Sequence, residues 1–149
     1  MIKTSISNEL LGAFFAQKTN NLITTSSQCW LGLSTTTPSL GSNGDITNFT
    51  EPASSTGYKR VRLGLYNKAE TYIMDAPANA EITNGTNFIF FNEATEGAGG
   101  FGTVTHFGLF AAESGSTAPI LTGALTTPVE VGEGKVLIFR PNDLKVSMA

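Results

Sequence analysis

Thr103-Val104-Thr105-His106-Phe107-Gly108-Leu109-Phe110-Ala111 is the stretch whose reading decides the fold class. It is rich in β-branched and aromatic residues, and apolar side chains fall on both of its faces. Such a segment reads as a strand covered on two sides, and therefore as a central one. The chain on either side reads the same way. Gln28-Cys29-Trp30-Leu31-Gly32-Leu33-Ser34 alternates, with Cys29, Leu31 and Leu33 on one face. In Tyr58-Lys59-Arg60-Val61-Arg62-Leu63-Gly64-Leu65, Val61, Leu63 and Leu65 share a face and Arg60 and Arg62 lie opposite, the pattern of a half-buried antiparallel strand. Residues 80–83 lead through Asn84-Gly85, a strong tight-turn signal, into 87–91. Further short strands are expected at 119–125, 129–131, 135–139 and 144–148, with turns at Gly132-Glu133-Gly134 and Pro141-Asn142-Asp143.

Many short strands separated by turn signals, with no helical crossovers between them, exclude a parallel α/β sheet. They predict a mainly β chain: an antiparallel β-sandwich or jelly-roll-like single domain. One short α-helix precedes it. Ser7 or Asn8 can cap its start, Glu9 suits the first turn, and Ile6, Leu10 and Phe14 recur at spacing four beside Leu11 and Phe15. The expected organisation is a helix and linker over 1–27 and a sandwich over 28–149, one compact unit overall. Between the first two strands, 35–56 is a long polar stretch punctuated by Pro38, Gly41, Gly44 and Pro52, of the kind that is functional or only partly ordered.

Composition limits the function classes. Charged residues make up only 14% of the 149, well under the roughly 25% usual for soluble proteins. That shortfall points to surface covered by neighbours, or solvated by Thr, Ser and Asn instead. Nine scattered basic residues within a net charge of -3 form no phosphate-binding patch, so no nucleic acid is expected. A single cysteine and a single histidine leave no multi-thiolate site and too few ligands for zinc. The apolar run 10–16 is too short to cross a bilayer, lacks the features of a secretory signal, and implies no membrane and synthesis in a cytoplasm.

The motifs with chemical associations read as structural. Gly97-Ala98-Gly99-Gly100-Phe101-Gly102 has the glycine spacing of a dinucleotide loop, but that chemistry needs a helix opening directly after the glycines. A strand follows instead, so a loop between strands is expected. His106 lies within a strand and far from any nucleophile-elbow sequence, and reads as a histidine satisfied by a neighbouring carbonyl or hydroxyl. The pairs Glu93/Glu96 and Glu130/Glu133 bracket turns and read as solvated acids, since a glycosidase would surround its carboxylates with aromatics and the chain has one tryptophan. Cys29 reads as a small buried hydrophobe. No cofactor and no catalytic residue are expected.

The run Phe101-Gly102-Thr103-Val104-Thr105-His106-Phe107-Gly108-Leu109-Phe110 resembles the signature of a family of small tailed-bacteriophage virion proteins, loosely described as tail-fibre-like or minor structural proteins. Gly57-Tyr58-Lys59-Arg60, Ile82-Thr83-Asn84, Phe88 to Ala94, Gly123 to Pro128 and the Val131-Gly132-Glu133-Gly134 turn are similar too, in order. So is the opening, a short helix and then Trp30-Leu31-Gly32-Leu33-Ser34-Thr35. The chain departs from the family at Phe101, where a Trp is common, and in 42–56 and 67–77. The resemblance implies a non-enzymatic structural component of the virion, of tail fibre or adaptor type, made in the bacterial host cytoplasm. It implies other virion proteins as partners and a homo-oligomer. A capsid decoration or head-fibre protein is the alternative station. A carbohydrate-binding module contacting a host-surface glycan is the alternative class, with Phe49, Tyr66 and Tyr72 as its loop aromatics. The helix stripe Leu10, Leu11, Phe14 and Phe15 is the expected assembly contact.

Overall fold

The computed structural model describes residues 28–42, 45–65, 73–116 and 118–147. Ten strands run through them: β1 (Gln28–Ser34), β2 (Ser39–Leu40), β3 (Ile46–Thr47), β4 (Val61–Leu65), β5 (Glu81–Thr83), β6 (Ile89–Phe90), β7 (Gly102–Phe110), β8 (Leu121–Val131), β9 (Ile138–Phe139) and β10 (Lys145–Ser147). A single 3-10 turn, Ser54–Thr56, is the helical element among the described residues. The chain is therefore mainly β, and β1–β7, β7–β8, β2–β3 and β5–β10 pair antiparallel. The expected N-terminal helix with Leu10, Leu11, Phe14 and Phe15 lies outside the described residues, as do Tyr66 and Tyr72.

Two compact units divide the chain, one drawn from Trp30–Val61 and Phe90–Leu137, the other from Met1–Cys29, Arg62–Ile89 and Ile138–Ala149. In the first, β7 lies between β1 and β8. Trp30 faces Phe110 and Ser34 faces His106 across β1 and β7, while Leu109 faces Leu121 across β7 and β8. The central position expected from the two-faced apolar pattern of β7 is the one observed.

Burial of β1 departs from simple alternation: Leu31 and Leu33 are fully buried, and on the opposite face Ser34 is fully buried and Trp30 nearly so. Fully burying a side chain such as Leu or Phe stabilises by about 1.5–3 kcal/mol, and Leu31, Leu33, Val104, Leu109, Phe110 and Val131 all reach that limit in this unit.

The segments 119–125 and 129–131 form one strand with a bulge, not two strands. Val104 pairs with Val129, but His106 pairs with Ala124, so Leu125 to Pro128 bulge out of register. Pro128 has no N–H for a ladder, and a bulge is where a sheet tolerates that. The polar stretch 35–56 is tied down in its described part. β2 and β3 pair, the Ser34 hydroxyl accepts from the Thr50 amide, and the Asn48 side-chain amide donates to the Thr37 carbonyl.

In the second unit the tight turn expected at Asn84-Gly85 forms, but the strands on either side of it do not pair with each other. β5 pairs with β10 instead, Ile82 facing Val146. Gly85 does turn the chain with φ +48, and the Asn87 amide closes that turn on the Asn84 carbonyl. Only one of the two central positions of this turn has positive φ, whereas the tight hairpin signalled by Asn-Gly needs both. Asn84 itself is fully buried. Its side-chain amide donates to the Asn87 and Arg140 carbonyls, and its side-chain oxygen accepts from the Leu144 amide. The Asn84 side chain thereby ties its own turn, through Asn87, to the turn between Arg140 and Leu144.

Candidate functional site

The first unit carries a polar cluster above Gly32 in the middle of β1. A Cβ there would lie 2.7 Å from the Phe110 ring, 2.9 Å from Glu51 Oε1 and 3.1 Å from the Tyr58 hydroxyl, so glycine leaves the space the cluster fills. Arg60 is buried, and four of its five N–H donors are engaged. Nε donates to Glu51 Oε1 at 2.9 Å and Nη2 to Glu51 Oε2 at 2.7 Å, a bidentate fork, while Nη1 and Nη2 also reach the Ala112 and Gly115 carbonyls. The guanidinium carbon sits 3.5 Å from the Phe110 ring centroid, a cation–π contact. The Tyr58 hydroxyl donates to Glu51 Oε1 and accepts from the Leu33 amide. Burial first, and then the Glu51 charge, push the Tyr58 phenol far above its ordinary range, so it stays a neutral donor.

Two clefts open on this cluster. One, of about 370 Å³, is lined by Glu51, Tyr58, Lys59, Arg60, Glu113 and Ser114 among others. The other, of about 320 Å³, is lined by Ile46, Asn48, Phe49, Glu51, Ser116 and Pro119 among others. Glu51 and Gly115 line both. Phe49 meets Phe110 edge to face at 5.4 Å, and Gly108 of β7 makes room for it, since a Cβ there would approach the Phe49 ring to 2.7 Å.

The glycine-rich loop before β7 has φ of +76 at Gly97, +90 at Gly99, +70 at Gly100 and +78 at Gly102, a path that glycine follows at little cost. Its amide at Gly99 donates to the Glu133 carboxylate at 2.7 Å, and amide bonds from Gly99 and Gly97 hold that carboxyl below its usual range. The chain's own carboxylate thus occupies the amides that the glycine spacing might have offered to a phosphate. His106 Nδ1 lies 2.8 Å from the Thr105 hydroxyl, the neighbour expected for a strand histidine. Cys29 is buried and its thiol is pushed up to about 12 by desolvation.

A family model described as podophage GP4 fiber I protein gp80 matches residues 1–147. The chain belongs to this family of podophage fibre proteins. No curated protein matches it. Membership supports a phage fibre role and a place in the virion with other virion proteins, in line with the virion family that the sequence resembles.

Of the side chains singled out from the sequence of this fibre-family chain, Phe49 is placed in a cleft wall, half-buried. Tyr66, Tyr72 and the stripe Leu10, Leu11, Phe14 and Phe15 lie outside the described residues. The structure adds Glu51, Tyr58 and Arg60, which strand periodicity alone could not single out. The alternation at 58–65 puts Arg60 on the solvent side, and its partly exposed partner Glu51 comes from the polar stretch nine residues earlier. The available signal was weak: Glu51, beside Pro52, is one of two charges, with Asp45, in a stretch otherwise solvated by hydroxyls and amides.

Proposed function

We propose that the chain is a non-enzymatic tail fibre or adaptor-type component of a tailed-phage virion, made in the host cytoplasm and assembled as a homo-oligomer against other virion proteins. The match to a podophage fibre family over 1–147 carries this reading. Its mechanics need shape and copy number: weak apolar and hydrogen-bonded contacts, repeated by symmetry, sum to durable attachment. Large apolar side chains left exposed favour such contacts, among them Leu40 at 74% and Ile120 at 54% exposure. The non-enzymatic reading is favoured by what the candidate chemical groups do: Arg60 and Glu51 bind each other, Glu133 holds a loop, and His106 meets a threonine hydroxyl. The finer architecture belongs to the same proposal: a two-layer sandwich or jelly-roll over 28–149 as one domain, behind a helix and linker in 1–27 whose stripe Leu10, Leu11, Phe14 and Phe15 makes the assembly contact.

The capsid station, as a decoration or head-fibre protein, differs from the tail station in copy number. Quantitative mass spectrometry of purified particles measures it. A handful to a few dozen copies per particle is expected, and hundreds of copies would move the protein to the shell.

A further inference from the structure

We propose that the cleft between Phe49 and Glu51 in the first unit binds a neutral sugar, independently of the assembly role. The walls carry the two kinds of surface that a sugar ring needs. Phe49, Pro119 and Ile46 form an apolar side suited to the C–H face of a pyranose. Asn48, Ser116 and Glu51 offer hydrogen-bonding groups to its hydroxyl edge.

Glu51 is the directional element. Oε1 accepts from both Tyr58 and Arg60, but Oε2 accepts from Arg60 alone among the described residues, which leaves it a further lone pair. The Glu51 side chain is 24% exposed, so that oxygen's carboxylate is reachable while Arg60, at 3%, is not. The fork with Arg60 fixes the carboxylate in place, and a fixed acceptor loses little freedom when a hydroxyl binds it.

The same fork selects for neutrality. The Glu51 charge is matched by Arg60, and the adjoining cleft carries one exposed charge of each sign, Lys59 and Glu113, so the walls hold no net charge to favour an acidic or a basic ligand. A volume of about 320 Å³ falls at the small end of ligand sites, which commonly measure about 300–1,000 Å³. One or two sugar rings are the fitting size.

The test is saturation-transfer NMR on the full chain with the methyl glycosides of glucose, galactose, rhamnose and N-acetylglucosamine, and glucuronic acid as the charged control. At least one neutral glycoside should receive saturation and shift the Glu51 and Ser116 amides. Phe49→Ala should weaken that binding by roughly tenfold or more. Ser116→Trp, at an exposed position on the cleft wall, should abolish it while leaving the amide spectrum folded. The proposal is overturned if no neutral glycoside receives saturation, if glucuronic acid binds more tightly than all of them, or if Ser116→Trp binds undiminished. None of these results bears on particle assembly.

Discussion

Removing the Glu51 carboxylate would strand a guanidinium that is nearly inaccessible to water. Arg60 would keep its carbonyl contacts and its seat over Phe110, yet lose both halves of the fork. Breaking a buried pair from one side costs about 3–5 kcal/mol, because the remaining charge is uncompensated. Glu51 is partly exposed, so the lower end applies: Glu51→Ala should lower stability by about 3 kcal/mol, read as a shift in the urea midpoint at constant slope. The double variant Glu51→Ala with Arg60→Met should be less destabilised than the sum of the two singles, since the second change removes the stranded charge. Single residues also show where sequence reading stops. Leu31, Leu33, Val104 and Leu109 were legible as core because periodicity reports on a side chain's own strand. Arg60 was not, because its burial depends on a partner from another stretch and on the hole left by Gly32.

Elements were legible to the extent that their pairing was irrelevant to their recognition. β1 and β7 are found where alternation and β-branching put them, but the Asn84-Gly85 turn signal does not reveal that the strand before it pairs with β10. Turn chemistry reports local geometry, and the local turn is present; the choice of strand partner is a non-local energy. The buried Asn84 side chain is what that choice costs and what holds it. Asn84→Ala would leave the Arg140 and Asn87 carbonyls and the Leu144 amide each without this partner. The Arg140 carbonyl keeps the Asp143 amide, so the buried Leu144 amide is the main orphan, and at about 1–3 kcal/mol for a buried group left unsatisfied the loss should be about 2 kcal/mol, seen as a lowered thermal midpoint. The loop at 97–102 carries a pH prediction. The Glu133 carboxyl titrates below its ordinary value in the folded chain, so its hold on the loop is complete above that ordinary value and is lost as pH falls through the lowered one. Hydrogen exchange at the Gly99 amide should therefore show extra acid-side opening in the native chain, and Glu133→Gln should remove that pH dependence. Because the group is fully exposed, global stability should scarcely change.

Across the whole molecule, the low charge content was readable from composition and the mainly β build from pattern, and the described residues are mainly β. The β8 strand shows how such a chain can carry a long exposed strand: the Leu125 to Pro128 bulge, with its proline, interrupts the regular ladder that another chain would extend. Attachment is proposed to rest instead on the stripe at Leu10, Leu11, Phe14 and Phe15. Leu10→Asp combined with Phe14→Asp should abolish incorporation into particles while β-type circular dichroism persists, and normal incorporation of the folded double variant would remove that assignment.

The central claim is that this chain serves the particle by being built into it. Cryo-electron microscopy of intact virions, resolved well enough to trace side chains, tests it most directly. The account predicts the antiparallel β1–β7–β8 sheet at a fixed tail position, in several symmetry-related copies seated against other virion proteins. Mature, infectious particles that contain no copy of the chain would contradict it.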